Sequence, residues 1–199
     1  MASPSTSLIA FTDGASRGNP GPASYGVVIQ DAHGNRVDAL AEYLGEATNN
    51  VAEYRALLAA LHYAVERQIG GLKIYCDSEL MARQMQGVYR VNSPDLKPLF
   101  ERARKLAGGL ASFSIHHVRR EQNREADELA NQALDQALQQ RTQKRVADQP
   151  DSAAPAEAQS FLAVAEGGRL RPLAPLPELQ EGAKYEVQIK KRSGGAHKR

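Results

Sequence analysis

Residues 8–30 read LIAFTDGASRGNPGPASYGVVIQ, and the fold turns on how that stretch divides. LIAFT and SYGVVIQ are apolar, β-branched runs of strand length, and Gly18, Asn19, Pro20 and Gly21 make a turn between them. VDALAEYL (37–44) reads as a third strand, so the first three form an antiparallel meander. From Val51 the period changes. Val51, Tyr54, Leu58, Leu61 and Val65 recur at helical spacing, which predicts a helix of about four turns with Asn49 or Asn50 as its N-cap. Further on, LKIYC (72–76) and SFSIHHV (112–118) read as two more strands with helical segments around them. Strands joined through helices lie parallel in one sheet. The expected fold class is therefore α/β, a five-stranded mixed sheet with helices on both faces. A last helix is expected from Arg124 to Lys144, burying Ala126, Leu129, Ala130, Ala133, Leu134, Ala137 and Leu138.

The 199 residues suffice for one ordinary domain and an appendage. The single cysteine, Cys76 in LKIYC, excludes an internal disulfide and reads as a buried thiol, not a metal ligand. No apolar run approaches membrane or signal length, so a cytoplasmic protein without membrane association is expected. The net charge of +2 is unevenly placed: residues 1–140 carry 14 Lys+Arg against 16 Asp+Glu, and residues 141–199 carry 11 against 7. Lysines and arginines that neutralise phosphates give sequence-independent affinity, so the basic end is a candidate nucleic-acid tether. A solvated end is the other reading of KKRSGGAHKR.

Four acidic residues stand in four separate motifs: Asp13 in TDGASRGNPG, Glu53 in TNNVAEYRAL, Asp77 in IYCDSE and Asp127 in NREADELAN. Asp13 and Asp77 are expected at the ends of neighbouring strands, about 5 Å apart, at the edge where α/β sheets bind ligands. Two such carboxylates repel unless a divalent cation sits between them, and Mg²⁺ suits a set of oxygen donors. Glu53 and Asp127 are expected in the first turns of helices, where a carboxylate is also favoured by the helix dipole alone.

With these motifs, residues 8 to about 140 resemble a type 1 ribonuclease H, the endonuclease that cuts the RNA strand of an RNA/DNA hybrid. The resemblance implies that Asp13, Glu53, Asp77 and Asp127 are the catalytic acids and hold two Mg²⁺ ions, with Mn²⁺ as a substitute. Asp13 would bridge both ions, Asp127 would complete one, and Glu53 and Asp77 the other. Water would attack phosphorus in line, leaving 5′-phosphate and 3′-hydroxyl ends. By the same resemblance Gly14, Gly18, Asn19, Asn49, Asn50, Glu79 and Arg124 match positions near the hybrid. Glycine allows close backbone approach, and the 2′-hydroxyl distinguishes RNA from DNA; the turn and cap roles of these residues remain alongside.

The sequence departs from the family in two places. Many members carry a histidine in a glycine-containing loop before the last aspartate, whereas the loop here is the short VRREQN (118–123). His116 and His117 read as strand-end residues, and Arg119, Arg120 or Arg124 is the electrostatic substitute, able to hold phosphate but not to carry a proton. The long basic protrusion is also absent: Arg83, Arg90, Lys97, Arg102, Arg104 and Lys105 are the basic residues between Asp77 and Ser112. Arg102 and Lys105 belong to a solvated helix face.

The expected organisation is a ribonuclease H domain over 1–145, a linker over 146–159 rich in Ala, Pro, Asp and Gln, a small β domain over 160–192 and a disordered basic tail over 193–199. SFLAVAEGGRLRPL alternates around Gly167-Gly168 like a hairpin, and KYEVQIKK alternates again. Residues 165–189 are similar to a family of very small antitoxin-like β proteins. A unit that short buries little core by itself, so the chain is a monomer or a dimer through this segment. Two other functions compete: a ribonuclease H fold that binds hybrids without cutting, and another two-metal nuclease on the same fold, which would attack DNA duplex.

Overall fold

The computed structural model of the chain describes residues 7–147, 163–166 and 169–172. The chain runs β1 (Ser7–Ser16), β2 (Gly21–Gln30), β3 (Arg36–Ala47), α1 (Asn49–Glu66), β4 (Gly71–Cys76), α2 (Glu79–Met85), α3 (Lys97–Gly108), β5 (Ser112–His117), a 3-10 turn over Arg120–Gln122, and α4 (Arg124–Ala147). The five strands form one sheet in the order β3-β2-β1-β4-β5. β1 is central, antiparallel to β2 and parallel to β4, and β4 is parallel to β5. The expected mixed sheet is thus the observed one.

Alternation along the strands assigns the two faces. Leu8 and Ala10 of β1, Val27 and Ile29 of β2, Leu72, Ile74 and Cys76 of β4 and Ile115 of β5 join one buried cluster with Leu57, Leu58 and Leu61 of α1. On the other face α4 lies over β2, next to β1 and β3, through the buried Ala126, Ala130 and Leu134. That approach is close because Gly26 has no side chain: a Cβ there would stand 2.3 Å from the Ala126 carbonyl oxygen and 2.6 Å from the Ala130 nitrogen. Beside it the Ser24 hydroxyl donates to the Ala130 carbonyl at 2.5 Å. The docking of α4 on β2 matters to function because α4 carries Asp127 in its first turn.

Helix α1 begins two residues earlier than Val51. Its N-cap is Thr48, not Asn49 or Asn50: the Thr48 side chain accepts from the Val51 backbone N–H at 3.3 Å. Threonine offers a hydroxyl acceptor in place of an amide oxygen, one residue upstream, which frees Asn49 for other partners. Arg102 and Lys105 of α3 are exposed, as expected. α4 runs to Ala147 and so passes the expected domain boundary at 145; the chain divides compactly between residues 149 and 150.

In the second unit, β6 (Ala163–Glu166) and β7 (Arg169–Pro172) pair antiparallel with Glu166 opposite Arg169, the register of the hairpin expected about Gly167-Gly168. The expected strand KYEVQIKK, most of the linker, most of the antitoxin-like segment and the basic tail lie outside the described residues. Among the described residues, no helix is long and apolar enough to cross a membrane.

Gly26→Ala should destabilise the protein by about 1–3 kcal/mol, because the new methyl meets helix backbone, not a side chain that can turn aside. Urea unfolding measures this, and wild-type stability of the variant would show that α4 can lift off β2 without cost.

Candidate active site

The parallel ladder between β1 and β4 ends at the pair Thr12 and Cys76. Asp77 therefore leaves β4 level with Asp13, at the edge where α/β sheets open toward a ligand. Asp13 itself lies within β1, not at its end as expected, because the antiparallel pairing with β2 continues to Ser16 after β4 has stopped. Asp13 is only 7% exposed. Its carboxyl is pushed up to about 8, first by burial, then by the charge of Asp77 and a hydrogen bond to it, and further by Asp127; the Gly14 backbone N–H pulls the other way. Three of the four sequence-selected acids thus act on one another electrostatically.

Glu53 completes the group from α1. Since that helix starts at Asn49, Glu53 falls in its second turn, beyond the first turn expected for it and beyond the reach of a helix-dipole explanation. Its carboxyl is raised to about 7 by burial, with a smaller push from Asp77, against hydrogen bonds from Ser78 and Asn49. The Ser78 hydroxyl donates to Glu53 Oε2 at 2.5 Å, and the Asn49 amide donates to Oε1 at 2.9 Å. Ser78 is also the N-cap of α2, accepting from the Met81 N–H at 3.3 Å.

Asp127 accepts from the Arg120 guanidinium at 2.5 Å, and the Arg120 side chain is 71% exposed. Of the three arginines proposed from the sequence, Arg120 is the one at the acid. Arg124 pairs instead with Glu128 at 3.4 Å on the exposed side of α4. Arg119 is exposed. His116 sits in β5 with its ring 5.6 Å from Tyr75, the strand-end role expected of it.

The two asparagine-bearing motifs meet. Asn19, in the turn between β1 and β2, accepts the Asn49 backbone N–H at 3.2 Å, which ties that turn to the start of α1. Gly18 has φ +108°, so the turn needs a glycine there. An ion pair between Arg17 and Asp135 ties the same turn to α4. Asn50 is exposed beside Asn49. Gly14 has a packing reason of its own: a Cβ would stand 2.3 Å from the Glu53 nitrogen, so β1 and α1 touch there backbone to backbone. Glu79 opens α2 next to Ser78 and pairs with Arg83 at 3.3 Å.

Sequence reasoning missed Ser78 and Asn123. A serine directly before a helix is a local capping signal, but the bond from Ser78 to Glu53 crosses 25 positions of sequence. Asn123 was read as a loop residue; it is 1% exposed and donates to the Thr12 carbonyl at 3.0 Å and to Asp77 Oδ1 at 3.3 Å.

The donor set is all oxygen and anionic, which fits a hard divalent cation. Among the described residues, no group of three or more carboxylate, imidazole or thiol side chains is drawn close enough to cage an ion as it stands. Asp127 is turned to Arg120, and Glu53 to Ser78 and Asn49. The mutual charge repulsion around Asp13 is what a cation would relieve.

Residues 11–133 match the reverse-transcriptase-like family. Ribonuclease HI of Halobacterium salinarum is 46% identical over 118 residues, covering 59% of this chain and 59% of that protein, less than two thirds of its length. Among solved structures, the N-terminal RNase H domain of Rv2228c from Mycobacterium tuberculosis matches with a TM-score of 0.66 at 41% identity, over 68% of this chain and 99% of that one. LC11-RNase H1, solved in complex with an RNA/DNA hybrid, matches with a TM-score of 0.63 at 44% identity, over 66% and 99%.

The raised carboxyls set a pH dependence. Asp13 takes up its proton at about 8 in the folded chain against 3.8 for the free group, so between these values the folded state binds more protons than the unfolded one. The ion-free protein should lose stability as pH rises through that window. Asp13→Asn removes the effect, so in chelator its Tm should exceed that of wild type at pH 8 and match it near pH 4. Equal Tm values at pH 8 would show that Asp13 carries no such burden.

Proposed function

The chain belongs to the reverse-transcriptase-like family, on its type 1 ribonuclease H branch, and on that premise we propose that it hydrolyses the RNA strand of RNA/DNA hybrids at internal phosphodiester bonds. The observation that carries this reading is the convergence of Asp13, Asp77 and Asp127, with Asp13 buried in the central strand and its carboxyl pushed up first by that burial and then by Asp77 and Asp127. A protein that only binds phosphate backbones has no use for such acids, which repel the ligand.

Asp13, Glu53, Asp77 and Asp127 would hold two divalent ions, Mg²⁺ or Mn²⁺. When bound, such ions activate the attacking water and stabilise the departing 3′ oxygen, giving 5′-phosphate and 3′-hydroxyl ends. The chain's own residues do the rest. Ser78 and Asn49 hold both oxygens of Glu53, so its orientation is set before substrate arrives. Arg120 neutralises Asp127 and, being exposed, is free to turn its guanidinium to a phosphate once a cation takes its place. The turn bearing Gly18 and Asn19, with Asn49 and Asn50 beside it, offers small polar groups and open backbone to the 2′-hydroxyls of the RNA strand. Glu79 stands at the same end of the sheet, one residue beyond Ser78.

Incubation of an end-labelled RNA/DNA hybrid with Mg²⁺ or Mn²⁺, beside single strands and DNA duplex, tests the reaction. Cleavage of only the hybrid's RNA, lost in Asp77→Asn, is expected. Intact hybrid that nevertheless binds the protein would replace the enzyme with a binding module, and cutting of DNA duplex would point to a different nuclease.

The basic run KKRSGGAHKR (190–199), which holds five Lys+Arg and no acid, supplies the grip that a protrusion gives in other members. Truncation after residue 149 should weaken hybrid binding and reduce its salt dependence, since fewer counterions are released. Binding isotherms at several salt concentrations measure both, and identical isotherms for the two proteins would remove the segment from substrate binding.

A further inference from the structure

Asn123 touches three of the four elements that carry the acids. Its Nδ2 donates to the carbonyl of Thr12, the residue before Asp13, and to Asp77 Oδ1. Its backbone carbonyl accepts the N–H of Asp127 at 3.1 Å. β1, the end of β4 and the start of α4 are thereby joined through one 1% exposed residue.

We propose that Asn123 is a positioning residue for the divalent-ion site, fixing Asp77 and Asp127 relative to Asp13; this rests on the reading of the four acids as ion ligands. Its place before α4 suggests helix capping, but an N-cap side chain works by accepting an N–H of its own helix through its oxygen. Asn123 does not do this: Oδ1 is buried with no partner, and the amide is turned away from the helix toward the sheet. An orphaned buried acceptor is a cost that a capping or packing role would not impose. The chemistry of the amide also suits the site. A carboxylate at 123 would add charge beside Asp77, and a lysine or arginine would cancel the charge an ion needs; a neutral N–H donor orients Asp77 and leaves its charge in place. Partners of this kind, one step behind the ligands, set ligand orientation and ion affinity.

Two variants of the full chain separate positioning from folding. Asn123→Leu keeps the number and branching of the side-chain heavy atoms, with somewhat larger methyl groups, and removes both the donor and the orphaned oxygen; Asn123→Ala removes the side chain. Three quantities are measured: Mg²⁺ binding by calorimetry without hybrid, kcat and KM on hybrid, and Tm in chelator. Ion affinity and kcat are each expected to fall about 10- to 100-fold. KM for hybrid should stay within about twofold, because the buried amide touches no substrate, and the Tm of Asn123→Leu should stay near wild type. Unchanged ion affinity in a folded variant, or a loss confined to KM, overturns the proposal. So does failure of both variants to fold, which would make Asn123 a structural residue. If wild-type protein itself takes up no Mg²⁺, the reading of the four acids fails first, and that outcome is distinct from an ion that binds wild type and variants alike.

Discussion

The central constraint in this molecule is a carboxylate held inside a sheet. Asp13 sits in the middle strand, nearly inaccessible, with a second acid leaving the neighbouring strand level with it. Burial and like charge both oppose ionisation there, and the surrounding structure answers at each acid separately. Neutral donors from Ser78 and Asn49 hold Glu53, an amide from Asn123 holds Asp77, and a guanidinium covers Asp127. Asp13 is raised first by its burial and then by the neighbouring acid, with only the Gly14 backbone N–H acting the other way.

The same constraint explains where backbone comes close to backbone. The acids arrive from β1, β4, α1 and α4, so both helices must approach the central strands tightly enough for their side chains to meet. Gly14 lets α1 touch β1, and Gly26 lets α4 touch β2. Opposite faces of one sheet are thus brought to a single edge by two missing side chains. The turn between β1 and β2 is held from both sides, through Asn19 to α1 and through Arg17 to α4.

Strand alternation and helical period made the sheet, its mixed pairing and the order of elements legible in the sequence, because those signals are local. The four acids were legible through their motifs. What stayed hidden was relational. Thr48 took the place of the asparagines as cap, and Asn49 after it turns its side chain to Glu53 instead. Asp13 was placed at a strand end because its run of apolar residues stops there, whereas the strand continues on the pairing of a partner. Asn123 and Ser78 have partners more than 20 positions away, and no local pattern records such a pairing.

The absence of a side chain at residue 26 also bears on how relatives of this chain can vary. The distance between β2 and α4 is set jointly by residue 26 and by the backbone of residues 126–130. A relative with a larger residue at that strand position needs a helix seated farther out, and then its last acid must reach the site from another height. Segments exchanged between such relatives would function only when the strand and the helix are inherited together, although roughly a hundred residues of sequence separate them.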